Sequence, residues 1–187
     1  MAGAAVKWAA LTNPSDKNEA PYGVCVGGRY FYVVGYDSSP GDKQWRIEKR
    51  NKDDGKLVKI WTNKERGELY GCIVDGGKLY AVGWNIEGWA VLLLDLDLNH
   101  GKIAWVEKGW ATSVTSDGEY LYIAGGKYYI LPEDSWGRIE KRSLGDLSQE
   151  GSPYSGDLCI AWGVRINPVT GHLWVVGEEY VGSWWEW

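Results

Sequence analysis

At 187 residues, with 20 Lys and Arg interspersed among 25 Asp and Glu, the chain has the length of one well-buried domain and a formal net charge of −5. This balance argues against a nucleic-acid partner, which needs a clustered basic face. The longest uncharged apolar stretch, residues 89–94, is far shorter than the ~20 residues that span a bilayer, so we expect no membrane span. Residues 1–8 do not resemble a signal peptide, and we expect a cytoplasmic protein.

The aromatic composition favours contacts between sheets. The chain has 13 Trp and 12 Tyr but only one Phe and one Met, and flat rings that carry one polar atom suit half-buried interfaces. The three cysteines Cys25, Cys72 and Cys159 cannot all pair and have no CxxC spacing, so we expect buried thiols on core strands.

Four segments of the chain repeat one pattern, which predicts repeated β-strands. Each opens with an aromatic-small-x-x-apolar run, followed by a turn rich in Gly or Asp, and each second run ends in a glycine. The opening runs are 22–26, 70–74, 110–114 and 162–166, and the closing glycines are Gly35, Gly83, Gly125 and Gly177. The glycines are roughly 40 to 50 residues apart, which is the period of β-propeller blades.

A third and a fourth run complete each repeat. The charged run 45–50 recurs almost verbatim at 138–142, whereas the second repeat has the apolar run 89–94 in its place. The fourth run follows a tight turn, as at Asp54-Gly55, because Asp or Asn beside Gly favours the positive φ of a two-residue hairpin. The pattern leaves no segment long enough to be read as a helix.

The two ends of the chain complement each other. Residues 184–187 match the start of a third run, and residues 4–11 match a fourth run without a repeat of its own. The sequence therefore predicts an all-β, four-bladed β-propeller whose ring is closed by the N-terminal strand completing the C-terminal blade, since a closed ring leaves only short edges. The predicted blades are 22–62, 70–107, 110–150, and 158–187 with 4–11. The alternative is a half-ring, two copies of which form an eight-bladed dimer.

Residues 35–50, GYDSSPGDKQWRIEKR, resemble a repeat of uncharacterised propeller-like proteins of hyperthermophilic archaea. This resemblance implies a propeller fold and a hot habitat, but no activity. Residues 101–105, GKIAW, are similar to the turn by which quinoprotein dehydrogenase blades pack on each other. Those enzymes hold their quinone with a vicinal cysteine pair, which this chain lacks, so we expect no quinone.

Acidic residues precede each innermost strand of the expected propeller. These are Glu19, Glu68, Glu107 and Asp157. Such connections gather at one mouth of a propeller channel, where four carboxylates would hold a cation or raise one another's pKa. The alternative is four solvated loop charges, and we expect no other metal and no cofactor.

Other polar motifs have a structural explanation. His100 and His172 adjoin hairpin glycines and lack metal-ligand spacing. Residues 95–101 resemble the opening of a calcium loop, but their alternation is also that of a strand entering a hairpin, which we favour. The alternating charges of 46–50 and 138–142 predict ion-pair ladders on one strand face, of the kind that stabilises proteins of hot organisms.

Two groups of residues are candidates for binding a partner or ligand. Leu93 belongs to the apolar third run, which is either an exposed patch or is buried by the loop 128–136. Aromatic residues that do not recur at equivalent repeat positions are the better ligand candidates: Tyr36, Trp84, Tyr128, Tyr129, Tyr154 and Tyr180. Aromatics that do recur, such as Tyr22 and Tyr70, are expected to pack blade on blade.

We therefore expect a non-enzymatic scaffold or interaction propeller that binds another protein. A carbohydrate-binding propeller is the second hypothesis, and a propeller hydrolase or quinoprotein-like enzyme the third. Most catalytic schemes that use a histidine as general base are disfavoured, because the chain has only two histidines and both are expected in turns.

Overall fold

The structure, a computed structural model, describes residues 17–39, 41–105, 108–127, 136–155, 159–181 and 184–186. Every regular element in these ranges is a β-strand, so the all-β prediction is confirmed. No helix among them has the length and apolarity needed to cross a membrane. The strands are β1 (Glu19–Gly27), β2 (Tyr30–Asp37), β3 (Gln44–Asn51), β4 (Leu57–Asp75), β5 (Lys78–Asn85), β6 (Gly88–Asp95), β7 (Gly101–Trp105), β8 (Trp110–Ser116), β9 (Tyr120–Lys127), β10 (Trp136–Ser143), β11 (Tyr154–Ser155), β12 (Ile160–Ile166), β13 (Leu173–Val181) and β14 (Trp184–Glu186).

The strands form three antiparallel sheets that contain four repeat units. The first sheet has seven strands in the order β1 to β7, the second has the order β11-β10-β9-β8, and the third has β12-β13-β14. The 19-residue β4 belongs to two units, because Arg66 still pairs with β3 whereas Gly67 already pairs with β5. The boundary between the predicted blades 22–62 and 70–107 thus lies inside one continuous strand.

We call the four repeats units 1 to 4. Unit 1 is β1, β2, β3 and residues 57–66 of β4; unit 2 is residues 67–75 of β4 with β5, β6 and β7. Unit 3 is β8 to β11, and unit 4 is β12 to β14. The tail predicted to start a third run is confirmed as β14, which pairs with β13. Residues 4–11, the predicted closing strand, lie outside the described residues.

A β-bulge in the first strand of each unit explains the closing glycines. The register shifts after Pro21, Leu69, Ala111 and Ala161. In unit 1 the chain before this bulge passes so close to Gly35 that an added Cβ would lie 1.9 Å from the Ala20 carbonyl oxygen. The same test at Gly83 gives 1.9 Å to the Glu68 oxygen. Only glycine fits, since the obstacle is backbone that cannot rotate away.

The bulge also corrects the sequence alignment of the third repeat. Gly71 pairs with Val82 just after the bulge of unit 2, and Ser113 takes the corresponding place opposite Ala124. The bulge residue of unit 3 is therefore Thr112, and Trp110 lies two residues earlier than the alignment with Tyr22, Tyr70 and Trp162 assumed. A shift of two residues keeps every side chain on the same face, so the alternating pattern did not reveal the error.

Successive units pack face to face. Their first strands lie side by side, β1 beside β4, β4 beside β8 and β8 beside β12. Buried apolar clusters fill each interface, centred on Tyr32 and Leu92 between units 1 and 2 and on Tyr80 and Ile123 between units 2 and 3. A smaller cluster around Val164 joins units 3 and 4. We call the side that meets the following unit the forward face, and the opposite side the backward face.

At each of two interfaces, a buried tyrosine forms a hydrogen bond to the following unit. Tyr32 donates from its hydroxyl to the carbonyl of Leu96 in unit 2 at 2.9 Å, and Tyr80 donates likewise to Leu144 in unit 3 at 2.7 Å. Because the ring fills the interface while its hydroxyl satisfies a carbonyl of the neighbouring hairpin, one side chain sets both the spacing and the register of two sheets.

Candidate functional site

Four aromatic side chains meet where units 1 and 2 join, and we call them the aromatic cluster. Tyr22 and Tyr70 are the bulge residues of β1 and β4, whereas Tyr36 and Trp84 each follow the closing glycine in β2 and β5. The bulge turns its residue away from the alternating strand faces. The repeat therefore presents one ring from the first strand and one from the second strand of each of two units.

The rings are in direct contact. The centroid of the Tyr22 ring lies 5.1 Å from that of Tyr70 and 5.9 Å from that of Tyr36, with tilted planes in both cases. The Trp84 indole donates to the Tyr70 hydroxyl at 3.0 Å. Tyr22 is nearly half exposed, while the other three are partly buried. The cluster therefore presents the Tyr22 ring to solvent and holds it in place by contacts with partly buried rings.

An ion pair between Lys43 and the buried Glu68 lies next to these rings. Lys43 Nζ lies 2.6 Å from Glu68 Oε1 and 4.4 Å from the centroid of the Tyr36 ring. The Tyr70 hydroxyl donates to Glu68 Oε2 at 3.3 Å. Glu68 is buried, whereas the Lys43 side chain remains partly exposed, so the carboxylate is held by the lysine and a phenol rather than by water.

These contacts determine the protonation of the cluster. The hydrogen bond to Glu68 raises the pKa of Lys43 above its ordinary value. Burial, and then the charge of Glu68, raise the pKa of Tyr70 and that of Tyr22. At neutral pH the cluster therefore presents protonated phenols and an ammonium group, which bind by stacking and hydrogen-bond donation; none of these three groups is poised to act as a base.

The structure brings together three of the residues predicted to form a site, Tyr36, Trp84 and Glu68. Other predicted residues lie outside the described part of the chain: Glu107, Tyr128, Tyr129 and Asp157. For Tyr180 the backbone is described, paired with Trp185, but not the side chain. Tyr154 is exposed in β11 of unit 3.

Two of the four carboxylates of the predicted ring, Glu19 and Glu68, lie among the described residues, and their positions in the repeat are not equivalent. Glu68 pairs with Trp84, and the corresponding position opposite Tyr36 is Ala20. Glu19 instead pairs with Asp37, and its Oε1 is buried without a hydrogen bond from any described residue. Among the described residues, no three acidic, His or Cys side chains are grouped so as to hold a metal ion.

Sequence reasoning missed Tyr22, Tyr70 and Lys43. The two tyrosines recur at equivalent positions and were therefore expected to pack between blades. The signal that would have found them is their place at the bulge, directly before the residue where the register shifts. Lys43 precedes β3 in a loop and gave no signal, because its contact with Glu68 spans 25 residues of sequence.

Leu93 lies in β6, and the structure shows what surrounds it. β7 pairs with the outer side of β6, so this strand is not at the sheet edge. Leu93 itself is half-buried against the cluster between units 2 and 3. Of the loop 128–136, expected to cover it, residues 128–135 lie outside the described residues.

Both charged runs form the predicted ion-pair ladders, but they are more deeply buried than a surface lattice. Glu140 accepts from Arg138 Nε at 2.7 Å and from Arg142 Nε at 2.8 Å, and its side chain is fully buried. Arg138 also lies over the Trp89 ring of unit 2, 6.0 Å from its centroid. The third-unit ladder is thus part of an interface between units.

The hairpin interpretation of residues 95–101 is confirmed. Asp95 Oδ1 accepts from the backbone N–H groups of Asp97 and Asn99 at 2.9 and 3.0 Å, and the Asp95 N–H donates to the His100 carbonyl at 3.1 Å. Leu98 takes a positive φ of 55° in this turn. The carboxylate that resembled the first calcium ligand therefore stabilises a turn.

The cysteines are free thiols at or near the unit interfaces. Cys25 and Cys72 are partly buried against the cluster between units 1 and 2, and Cys159 is buried. A hydrogen bond with Cys25, together with burial, raises the pKa of the Cys72 thiol. The three cysteines pack as small, buried or partly buried groups, as the sequence predicted.

Comparison with known proteins adds no relative: no protein-family model matches the chain, and no curated protein matches it. The functional proposal therefore depends on the chemistry of the described residues.

Proposed function

We propose that the chain is a non-enzymatic β-propeller interaction protein whose contact surface is the aromatic cluster. The observation that supports this is the half-exposed Tyr22 ring, which contacts the Tyr36 and Tyr70 rings next to the Lys43–Glu68 ion pair. Tyr and Trp are enriched in protein interfaces because a rigid, amphipathic ring loses little entropy on binding.

A photo-crosslinking experiment tests this surface. A photoreactive phenylalanine analogue at position 22 should yield a discrete crosslinked partner in cells that express the full chain. Trp84→Ala should reduce that adduct at least fivefold, because the indole supports the Tyr70 hydroxyl. The matched control places the same analogue at the exposed Tyr154 of unit 3, where no adduct of the same mass is expected; equal labelling at both positions would reject the proposal.

A carbohydrate ligand is the second candidate, favoured by the polar groups around the rings. Sugars stack their C–H faces on aromatic rings while their hydroxyls need hydrogen-bond partners. The Lys43 ammonium group and the Tyr70 hydroxyl lie beside the rings. A glycan array probed with the wild type and with Tyr22→Ala separates the candidates, since only a carbohydrate-binding protein would give signals that the substitution removes.

For the architecture we propose that the four units are four blades of a propeller and that residues 4–11 supply the outer strand of a fourth blade. Support comes from the repeated bulge and from the side-by-side packing of the first strands. Deleting residues 1–12 should then expose a strand edge and lower solubility. A truncated chain that stays soluble and melts as the full chain does would contradict this proposal.

The resemblance to repeat proteins of hyperthermophilic archaea extends this proposal to heat stability. The buried ladders support it, because the desolvation penalty of ion pairs falls as temperature rises.

A further inference from the structure

Two cysteines face each other across the interface between units 1 and 2. Cys25 lies on the forward face of β1, where it pairs with Tyr32, and Cys72 lies in β4 on the backward face of unit 2. Both side chains are partly buried against the same apolar cluster. The two thiols therefore belong to one interface, and neither is fully shielded from solvent.

The packing of β1 beside β4 brings the two thiols to the same level. A Cβ added at Gly23 would lie 3.2 Å from the Gly71 Cα. One added at Gly27 would lie 2.9 Å from Val74 Cγ1. The β1 cysteine is midway between these glycines on the same strand face, so it lies beside the middle of this β4 segment, where the second cysteine is.

Direct contacts agree with this placement. Cys72 Sγ lies 3.8 Å from the carbonyl oxygen of Tyr32, the residue that pairs with Cys25. The two thiols also form a hydrogen bond with each other. At the interface between units 2 and 3 the equivalent positions are Ile73 and Val114, which likewise belong to one cluster. Side chains at these two repeat positions therefore meet at both interfaces.

We propose that Cys25 and Cys72 form a redox modification site, at which a low-molecular-weight disulfide such as oxidised glutathione converts the two thiols into a reversible crosslink between units 1 and 2. A disulfide needs two cysteines whose side chains point toward each other. The hydrogen bond between these thiols meets that requirement. The crosslink is independent of the ligand surface proposed above.

The reaction is a thiol–disulfide exchange in two steps. Cys25 loses its proton to water, its thiolate attacks one sulfur of the small disulfide, and a mixed disulfide forms as one small thiolate leaves and takes up a proton. Cys72 then attacks Cys25 Sγ, and the second small thiolate leaves with the proton that Cys72 gives up. The two cysteines lose two electrons in total, and the small disulfide is reduced to two thiols.

The order of the two steps follows from the environment of the thiols. The hydrogen bond with Cys25, together with burial, raises the pKa of the Cys72 thiol. Because the thiolate is the nucleophile, the thiol that keeps its proton more firmly reacts second. Cys25 is therefore the attacking cysteine, and Cys72 is the one that resolves the mixed disulfide.

Cys159 provides an internal control. It is 7% exposed and directly precedes β12 of unit 4, where its carbonyl oxygen would lie 3.2 Å from a Cβ added at Gly126 of unit 3. The chain has three cysteines in all, so neither unit 3 nor unit 4 offers this thiol a partner. It should remain reduced when the other two are oxidised.

A redox titration of the native full chain tests the proposal. The protein is equilibrated in glutathione buffers, quenched with acid, alkylated and digested. We expect an intact mass lower by two hydrogen atoms, one linked peptide that joins Cys25 to Cys72, and Cys159 alkylated. Because the fold holds the two thiols together, the equilibrium constant for crosslinking should be about 100-fold higher in buffer than in concentrated urea.

Serine variants assign the two roles. Cys72→Ser should stop at a glutathione adduct on Cys25, Cys25→Ser should form neither the crosslink nor an adduct at the wild-type rate, and Cys159→Ser should crosslink as the wild type does. The oxidised wild type should melt on the order of 10 °C above the reduced protein. Cys159→Ser should keep this difference, and the other two variants should lose it.

Several outcomes would overturn the proposal. They are a linked peptide that contains Cys159, a crosslink between two chains, a glutathione adduct on the wild type that never resolves, equal equilibrium constants in buffer and urea, and no reaction in an oxidising buffer. The peptide map of the wild type needs no substitution, so it decides the proposal even where a variant fails to fold.

Discussion

The interface between units 1 and 2 and the interface between units 2 and 3 fill equivalent positions with opposite chemistry. On the backward face of unit 2 these positions hold Ala90, Leu92 and Leu94, all buried. On the backward face of unit 3 the same register holds the ladder Arg138, Glu140 and Arg142. A position between two units must therefore be filled and satisfied, but it need not be apolar.

The ladder can be buried because its charged groups find their hydrogen-bond partners within their own strand and the hairpin that follows it. Glu140 bridges two guanidinium groups, and Arg142 Nη1 donates to the Leu147 carbonyl at 2.7 Å. Unit 1 repeats this arrangement: Arg50 Nε donates to Glu48 at 2.6 Å, and its Nη1 donates to the Gly55 carbonyl at 3.0 Å. Buried charges need partners at close range, and here the sequence i, i+2, i+4 supplies them.

Removing the central carboxylate should have the largest effect. Glu140→Ala leaves two buried guanidinium groups without their shared partner, and we expect a loss of about 3–5 kcal/mol in the free energy of unfolding. Chemical denaturation followed by tryptophan fluorescence measures it. Glu150→Ala, at an exposed position, should change stability by about 0.5 kcal/mol or less.

A triple variant sharpens that comparison. Arg138→Ala, Glu140→Leu and Arg142→Leu together give unit 3 the residues of unit 2. We expect a smaller loss than for Glu140→Ala alone, because no unpaired charge is buried and only the Leu147 carbonyl loses its donor. A triple variant less stable than the single one would show that the ladder stabilises the interface beyond satisfying itself.

Truncating Leu92, the apolar residue of unit 2 that is equivalent to Glu140, should have the next largest effect. Leu92 is 1% exposed in the cluster between units 1 and 2, so Leu92→Ala should cost about 3 kcal/mol through lost burial and an added cavity. Leu93→Ala, on the opposite face and half-buried, should cost less than half as much by the same denaturation assay. Equal losses would mean that Leu93 is covered as completely as Leu92.

The tyrosine link between units should contribute less. Tyr80→Phe removes the donor to the Leu144 carbonyl, and we expect a loss of about 1 kcal/mol. The matched control is Tyr122→Phe, whose hydroxyl bonds to Asp117 at an exposed turn of the same unit. If the two variants lose the same stability, the hydrogen bond between units contributes no more than the one in the exposed turn.

The smallest effect concerns acid stability at the end of the first ladder. Burial opposes ionisation of Asp37, but hydrogen bonds from Ser39 and the Arg46 guanidinium outweigh it and lower the pKa of this carboxyl. A carboxyl with a lowered folded pKa stabilises the protein above its unfolded pKa of about 4, and this contribution is lost as the pH falls through the folded value.

We therefore expect Asp37→Asn to lower the melting temperature at pH 7 and to have a diminishing effect below pH 4. Thermal melts between pH 7 and pH 2.5 measure this, with the exposed Asp42→Asn as the control for loss of one charge. A melting-temperature difference that does not change with pH would contradict the assignment.

Part of this organisation could be predicted from the sequence, and part could not. The recurrence of 45–50 at 138–142 was enough to predict both ladders, because strand alternation places every second charge on one face. The same alternation cannot tell whether that face meets solvent or another sheet. It also missed the position of Thr112 in the third repeat, since a shift of two residues preserves every face.

The candidate site was harder to predict than the fold. Tyr36 and Trp84 were identified because they do not recur at equivalent repeat positions. Tyr22 does recur, and it was therefore expected to pack between blades. Its exposure results from a bulge, which depends on how two strands pair and not on the local composition. The link between Lys43 and Glu68 joins two units and has no local signature.

The sequence by itself determined that this protein is built of repeated antiparallel strands, where the hairpins turn and which glycines close the second strands, because these features depend on neighbours along the chain. Only the tertiary structure decided which repeat faces are covered, that β4 runs unbroken from one unit into the next, and that Val24 and Val176 remain exposed. These features depend on how whole sheets pack against each other. Equivalent positions are exposed in one unit and buried in another, as Val24 is 64% and Val114 3% exposed, since burial requires a neighbouring sheet that a local pattern cannot specify.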